Sequence, residues 1–206
     1  MIQQNSMVYK SMSYDRRDIL FSFKTVICGA SSVGKTCLFN RYCFNSFNFD
    51  TSPTIGLNFH SVYLKISIKE EPKEKYIVNS IFDFGGQERF EPLVPKFIEG
   101  ANGALLVFDS ASHISFNKLD FWYEQLTEST ASSNIPIILV ASKSDLLDKA
   151  PKTEIISDEA IHKFMKEKKL DGFYRTSALE NFNVLVVFKE LNNLMLKRQQ
   201  MPYVLT

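Results

Sequence analysis

Eight residues near the start of the chain, Gly29 to Thr36, read G-A-S-S-V-G-K-T and have the spacing of a phosphate-binding loop. In such a loop, successive backbone N–H groups surround phosphate oxygens, and the following helix N-terminus adds partial positive charge. Lys35 can neutralise the β and γ oxygens, and the Thr36 hydroxyl can ligate a Mg²⁺ that bridges them. A Gly/Ser loop that binds nothing looks similar, so this interpretation depends on the rest of a nucleotide site following downstream.

A carboxylate and a short glycine motif follow an apolar strand further along the chain. Asp83 can hold Mg²⁺ through water, and the N–H of Gly86 can bind a γ-phosphate. Gln87 can orient an attacking water, while Thr54 lies in a loop that can close on the same ion and phosphate. Since these contacts exist only with a γ-phosphate, we predict that the Thr54 loop and residues 84–95, here called the switch segment, form a switch.

Two later loops carry groups suited to a guanine base. In the run Ser142-Lys143-Ser144-Asp145, the carboxylate of Asp145 can accept hydrogen bonds from guanine N1–H and N2–H₂, a pair that adenine lacks. Charged hydrogen bonds of this kind contribute ~1.5–3 kcal/mol each, so Asp145 favours guanine. The stem of Lys143 can pack along the base. A backbone N–H of the run Thr176-Ser177-Ala178-Leu179 can reach guanine O6.

The hydrophobic pattern predicts the elements that position these motifs. Strands are predicted at Ile19–Cys28, Leu57–Ile68, Tyr76–Phe84, Ala101–Asp109, Ile135–Ser142 and Phe173–Thr176. Helices are predicted at Lys35–Phe44, Phe116–Thr130, Ser157–Lys169 and Val184–Arg198, with a broken helix at Glu88–Glu99 because of its prolines. This order predicts an α/β fold: a six-stranded, mostly parallel sheet with one antiparallel edge strand and helices on both faces. The motifs fall at the carboxyl ends of the strands, where such sheets bind ligands.

Composition narrows the class of protein. A chain of 206 residues, with 45% hydrophobic and 23% charged residues, indicates one globular domain with its own core. The balance of 24 basic and 23 acidic residues gives no nucleic-acid footprint. Cys28, Cys37 and Cys43 have neither zinc nor disulfide spacing and indicate reduced thiols of a cytosolic protein. No apolar run is long enough to be a transmembrane segment, and no C-terminal prenylation motif is present.

Taken together, the motifs resemble those of small GTPases of the Ras superfamily, most closely the Rab branch, over about Ile19 to Lys197. G-A-S-S-V-G-K-T resembles the first box, P-T-I-G-L-N-F the effector loop, D-F-G-G-Q-E the D-x-x-G-Q box, S-K-S-D the N-K-x-D box and T-S-A-L the S-A-K box. The stretches I-G-L-N-F and F-I-E-G-A resemble Rab-type segments. The resemblance implies a P-loop G domain over residues 19–198, an N-terminal extension over 1–18 and a C-terminal tail over 199–206.

The resemblance also implies a set of site residues. The nucleotide-binding residues would be Gly29, Ser31, Ser32, Val33, Gly34, Lys35, Thr36, Cys37, Phe47, Thr54, Gly86, Ser142, Lys143, Asp145, Ser177, Ala178 and Leu179. The metal ligands would be Thr36, Thr54 and Asp83, and the catalytic residue would be Gln87. Phe47 would lie edge-on against guanine, and a hydrophobic patch read by effectors would contain Phe59, Phe82 and Phe97.

The function implied is a molecular switch that binds GTP or GDP with Mg²⁺, hydrolyses GTP slowly and regulates vesicle trafficking or signalling through effectors. An exchange factor and a GTPase-activating protein are expected partners, because the sequence has no arginine finger that can be assigned. We expect a cytoplasmic protein that reaches intracellular membranes peripherally, through its partners. The absence of a cysteine-containing C-terminus argues against stable prenyl anchoring of this chain.

Several residues depart from the family pattern. Ser142 replaces an asparagine whose amide tethers the phosphate loop and touches the base. Losing one or two hydrogen bonds of ~1 kcal/mol each predicts about five- to thirtyfold weaker nucleotide binding. Ser32 replaces a glycine, so its Cβ is expected to strain a positive φ. Phe84 and Gly85 replace threonine and alanine, which is expected to add bulk and then freedom to the switch segment.

Two other classes of protein remain open beside the small GTPase. A pseudo-GTPase would bind nucleotide weakly or not at all and act as a protein-interaction module, as Ser142, Ser32 and Phe84 suggest. A P-loop kinase or ATPase of another family would bind ATP as well as GTP. The D-F-G sequence at Asp83 matches a protein-kinase motif, but no H-R-D loop or A-P-E follows it, which argues against a kinase.

Overall fold

The structure, a computed structural model, describes residues 18–49, 53–67, 75–130, 134–200 and 204–205. Its strands in these ranges are β1 (Ile19–Cys28), β2 (Leu57–Ser67), β3 (Lys75–Phe84), β4 (Gly103–Asp109), β5 (Ile137–Ser142), β6 (Gly172–Arg175) and β7 (Val204–Leu205). Its α-helices are α1 (Lys35–Phe44), α2 (Val94–Ile98), α3 (His113–Asn117), α4 (Leu119–Ser129), α5 (Asp158–Lys168) and α6 (Val184–Arg198). Among these helices, none has the length and hydropathy needed to cross a lipid bilayer.

All strands form one sheet, in the order β6-β5-β4-β1-β3-β2-β7. Neighbouring strands from β6 to β3 are parallel, and β2 pairs antiparallel with β3. The predicted fold class, a six-stranded mostly parallel sheet with one antiparallel strand and helices, is confirmed. One detail was not predicted: the two-residue β7 pairs antiparallel with the end of β2, so that β2 is no longer the outermost strand.

The interior strand β4 shows why both faces of the sheet are covered. Successive strand residues point to opposite faces, and here Leu105 and Val107 pack with α1 and α6. Leu106 and Phe108 pack on the other face, with α2, α4 and α5. A strand buried on both faces must be apolar at every position, which explains the unbroken hydrophobic run of β4. The sheet is therefore the middle layer of three, and ligand access remains at its edges and ends.

The helices agree with the sequence patterns except around Lys118. The broken helix near Pro92 is a 3-10 helix over Glu88–Leu93 followed by α2. Ser157 caps α5 by accepting a hydrogen bond from the Ala160 N–H at 3.2 Å. The single helix predicted at Phe116–Thr130 is instead two helices, α3 and α4, that meet at Lys118. The helical region begins earlier than predicted, at His113, because the side chain of Ser112 provides the N-cap of α3.

The predicted extension 1–18 lies, except for Asp18, outside the described residues. The predicted tail 199–206 is described at residues 199–200 and at β7. Leu205 is buried in the same hydrophobic cluster as the apolar residues of α6. Its N–H donates to Asn193 Oδ1 at 3.1 Å.

Candidate functional site

A cavity of about 420 Å³ lies at the carboxyl ends of the parallel strands. Its volume is within the range of small-molecule sites. The wall contains most of the residues predicted to bind nucleotide: Ser31, Ser32, Gly34, Lys35, Thr36, Cys37, Phe47, Thr54, Gly86, Ser142, Lys143, Asp145, Ala178 and Leu179, together with Gln87. Gly29, Val33, Asp83 and Ser177 are outside the wall and contact residues that form it. Residues from five separate segments of the chain therefore meet in one cavity.

The phosphate loop, Gly29–Thr36, turns tightly between β1 and α1. A Cβ placed on Gly29 would lie 2.2 Å from the carbonyl oxygen of Val107, so only glycine fits there. Gly34 has φ +92° and precedes α1 without a side-chain cap in the described chain. The N–H groups of the first turn of α1 are therefore available to an anion. Ser32 has φ 65°, the positive φ that was expected to strain a non-glycine residue.

Lys35 lies inside the curve of the phosphate loop and is only 5% exposed. Its ammonium group donates to the carbonyl oxygens of Gly29 at 2.8 Å and Ala30 at 2.7 Å. Burial lowers the pKa of Lys35 to about 8, and the charge of Asp83 acts in the opposite direction. An anion in the cavity would favour the protonated form of Lys35, as the charge of Asp83 does. Phosphate binding and protonation of Lys35 therefore support each other.

The three predicted metal ligands meet at one point. The Thr36 hydroxyl donates to Asp83 Oδ2 at 2.8 Å and lies 2.7 Å from the Thr54 hydroxyl, which must then donate to it. Asn58 also donates to Asp83 Oδ2, at 3.3 Å. Burial raises the pKa of Asp83, and the hydrogen bonds from Thr36 and Asn58 oppose this shift. Asp83 Oδ1 is buried without a hydrogen-bond partner among the described residues, and such a group of oxygens fits Mg²⁺.

The switch segment begins in close contact with the phosphate loop and with the loop that contains Thr54. A Cβ on Gly86 would lie 2.4 Å from the carbonyl oxygen of Gly29 and 2.5 Å from Lys35 Nζ. The N–H of Gly85 donates to the carbonyl oxygen of Gly56 at 3.2 Å, next to the Thr54 loop. Gln87 follows directly, and its Oε1 is buried without a partner in the part of the chain that the structure describes.

Phe84 and Gly85 both lie in the cavity wall, and the ring of Phe84 also packs in the core. Phe84 is fully buried, with ring centroids 5.4 Å from Phe97 and 6.2 Å from Trp122, so most of its bulk fills the core. Gly85 does not add backbone freedom to the switch segment, because it packs closely against the loop that contains Thr54 and Gly56. A Cβ there would lie 2.5 Å from the carbonyl oxygen of Thr54, and this close approach is the reason for a glycine.

The other end of the cavity contains Asp145. Ser177 is fully buried and donates from its hydroxyl to Asp145 Oδ1 at 2.6 Å. The Ser177 oxygen in turn accepts the Glu180 N–H at 3.1 Å, which fixes the hydroxyl. Ser177 therefore positions the carboxylate of Asp145. Lys143 lies along the wall, and its ammonium forms an ion pair of 2.7 Å with Asp109, a contact that the sequence did not predict.

Ser142 requires a correction to the predicted loss of the phosphate-loop tether. Its hydroxyl oxygen lies 2.5 Å from the carbonyl oxygen of Val33 in the phosphate loop and 2.9 Å from that of Phe108 in β4. Serine thus keeps the tether to the phosphate loop, although its side chain is shorter than that of asparagine. Only the contact with the base can be missing, and this reduces the expected weakening of nucleotide binding to about fivefold.

A Ser142→Ala variant tests this tether. We expect nucleotide affinity to fall about five- to tenfold, because the carbonyl groups of Val33 and Phe108 lose their donor and the phosphate loop is held less firmly. The measurement is an equilibrium titration with labelled GDP. Ser61→Ala is the matched control, since Ser61 pairs with Ser80 at 2.8 Å between β2 and β3, away from the cavity. Unchanged affinity in Ser142→Ala would show that the tether has no role in binding.

Arg41, in the last turn of α1, was missed by the sequence analysis. Its guanidinium donates to the carbonyl oxygens of Ala178 at 2.7 Å and Leu179 at 3.4 Å. The same group lies 6.0 Å from the ring centroid of Phe47, which itself packs edge-on against Phe49 at 4.9 Å. Arg41 therefore joins the two loops that enclose the Asp145 end of the cavity. No local pattern could reveal this, because Ala178 is 137 positions away along the chain.

The expected hydrophobic patch is only partly assembled. Phe59 on β2 is 66% exposed and stacks on Phe82 of β3 at 5.8 Å. Phe97 lies instead against Phe84 and is partly buried. Of the three residues, Phe59 is thus the exposed one, and Phe82 and Phe97 are both partly buried against the core.

Comparison with known families agrees with this geometry. Residues 24–197 match the family model described as the Ras family. The match covers most of the chain and includes all the loops that form the cavity. The chain is therefore a member of the Ras family of small GTPases, proteins that bind guanine nucleotides and switch with GTP.

Proposed function

We propose that this chain is a Mg²⁺-dependent guanine-nucleotide switch with slow intrinsic GTP hydrolysis and that it acts through effectors in vesicle trafficking or signalling. The observation that carries the proposal is the meeting of Thr36, Thr54 and Asp83 beside Lys35 at one end of a cavity whose other end holds Asp145. In a bound guanine nucleotide, the phosphates would occupy the Lys35 end of the cavity and the base would occupy the Asp145 end. The Rab-like character, the cytoplasmic location and peripheral membrane contact belong to the same proposal.

In the proposed complex, the phosphate groups lie in the phosphate loop and the base lies between Lys143 and the loop at Ala178. The unpaired N–H groups at the start of α1 and the ammonium of Lys35 bind the phosphate oxygens. Asp145, held by Ser177, accepts from the guanine N–H groups. Phe47 closes the base pocket from the side on which Arg41 holds it.

Thr36, Thr54 and Asp83 would hold the metal ion. When bound, Mg²⁺ neutralises phosphate charge and polarises the phosphoryl oxygens. Thr54 lies in the loop before β2, and Gly85 ties the switch segment to that loop through Gly56. A ligand that holds Thr54 beside Thr36 therefore orders both segments together, and loss of the terminal phosphate releases them together.

Hydrolysis is proposed to depend on Gln87, whose buried and unpartnered Oε1 is available to orient a water. The cavity wall described above contains no arginine, so an arginine from a GTPase-activating protein is expected to supply ~10³–10⁵ in rate. Single-turnover assays of the purified protein should therefore give a rate far below the ~1 s⁻¹ lower end of ordinary enzymes. A fast unaided reaction would contradict this mechanism.

Removing the metal provides a further test. Chelation with EDTA is expected to accelerate GDP release about tenfold, because the phosphates then lose a shared cation. In Thr36→Ala, release should already be fast and should change less than about twofold with EDTA. The matched control is Thr127→Ala on α4, whose hydroxyl donates to carbonyl groups of its own helix and whose EDTA response should equal that of the wild type. GDP release that is insensitive to EDTA in the wild-type protein would contradict a magnesium site.

A further inference from the structure

Thr176 lies in the cavity wall, and none of the roles above uses its hydroxyl. The residue is 1% exposed, and its Oγ1 is buried without a hydrogen-bond partner among the described residues. Its backbone is fixed on both sides, because its N–H donates to Ala141 at 2.8 Å and its carbonyl accepts from Ser144 at 3.0 Å. A buried hydroxyl without a hydrogen-bond partner costs free energy, unless a ligand supplies the missing partner.

The neighbouring Ser142 cannot perform this role. A serine hydroxyl has one proton, and that of Ser142 faces two carbonyl acceptors inside the protein, those of Val33 and Phe108. It therefore has no proton left to donate to a ligand. Ser142 thus tethers the phosphate loop, whereas the hydroxyl of Thr176, a residue of the same cavity wall, has no partner among the described residues.

Guanine needs donors at the edge that Asp145 does not read. Asp145 accepts from the N1–H and N2–H₂ groups, whereas the adjoining O6 and N7 atoms are both acceptors. Thr176 is next in the chain to Ser177, which holds Asp145, and it begins the run Thr176–Leu179, of which one backbone N–H was expected at O6. We propose that the Thr176 hydroxyl donates to N7 of the bound guanine, directly or through one water. This inference rests on the proposed guanine-nucleotide binding.

The first test is Thr176→Val, which keeps the shape of the side chain and removes the hydroxyl. GDP affinity should fall about five- to tenfold, the effect of one hydrogen bond. The melting temperature of the nucleotide-free protein should not decrease, because the hydroxyl has no partner in the described part of the chain. Thr130→Val is the matched control: Thr130 is 6% exposed and donates to Leu126 at 2.6 Å, so this variant should melt earlier and bind GDP normally. Thr176→Ser, which keeps a hydroxyl, should restore most of the affinity.

The second test assigns the atom on the base. Wild-type protein should bind 7-deaza-GDP about five- to tenfold more weakly than GDP, and Thr176→Val should bind the two equally. Inosine diphosphate, which lacks the 2-amino group, reports on Asp145 alone. A preference for GDP over inosine diphosphate in both proteins would support guanine recognition whatever Thr176 does. Wild-type GDP affinity in Thr176→Val, or an undiminished 7-deaza effect in that variant, would overturn the assignment of Thr176.

Discussion

Asp145→Asn is expected to lose about 100- to 10,000-fold in affinity for guanine nucleotides and to prefer xanthine nucleotides. The variant gives up two charged hydrogen bonds of ~1.5–3 kcal/mol each, and every ~1.4 kcal/mol is a tenfold change. Its amide can donate to the C2 carbonyl of xanthine, which stands where guanine carries an amino group. The effect is large because Ser177 holds the carboxylate rigidly, with Oδ1 already hydrogen-bonded at 2.6 Å.

Competition titrations with GDP and xanthosine diphosphate measure this exchange of specificity. Asp148→Asn is the matched control, since Asp148 is an exposed residue just beyond the same loop and is not in the cavity wall. That control should bind GDP as the wild type does. If Asp145→Asn keeps GDP affinity within about threefold, the base does not contact Asp145, and the assignment of this end of the cavity fails.

Gly86→Ala is expected to separate nucleotide binding from the response to GTP. Its Cβ would lie 2.4 Å from the Gly29 carbonyl oxygen, and backbone cannot yield there, so the switch segment must move outward and take Gln87 with it. A displacement of about 1 Å at a reacting group costs on the order of 100-fold in rate. Hydrolysis should therefore fall about 100-fold, while GDP affinity changes little because the phosphate loop and base pocket are unaffected.

Two measurements on the same protein check this result. Single-turnover GTP hydrolysis should show the loss, and hydrogen exchange over residues 84–98 should no longer differ between the GDP and GTP-analogue forms. Gly172→Ala is the control, because the nearest atom to its Cβ would be at an ordinary 3.7 Å and β6 lies at the far edge of the sheet. Normal hydrolysis in Gly86→Ala would mean that the switch segment does not dock as the structure has it.

The parts of the molecule that could be predicted are those encoded in short contiguous stretches. The phosphate loop, the bounds of β1, α1 and α6, and the break near Pro92 each depend on neighbours within a few residues. The burial of Phe84 does not follow from its strand position, because Phe84 lies on the same face of β3 as Phe82, which is only partly buried. It depends on Phe97 and Trp122, which come from other elements.

What could not be predicted are contacts between distant segments. Ser142 reaches Val33 across 109 positions, because the strands that precede the two residues, β1 and β5, lie on either side of β4 in the sheet. The Thr176 hydroxyl, which has no partner within the described ranges, depends on every donor and acceptor that surrounds it in three dimensions. The short β7 has no pattern of its own, and its pairing with β2 depends on a free strand edge and on the burial of Leu205.

The central claim is that this cavity binds a guanine nucleotide in preference to any other. The most direct test strips the purified protein of nucleotide and titrates it with labelled GDP in Mg²⁺, in the absence and presence of a large excess of ATP. We predict saturable binding of one GDP per chain that ATP does not displace. Binding that ATP removes as well as GTP does would place the site in another class of phosphate-loop protein. No binding near micromolar GDP would instead leave the chain as an interaction module, and either result would contradict the proposed switch.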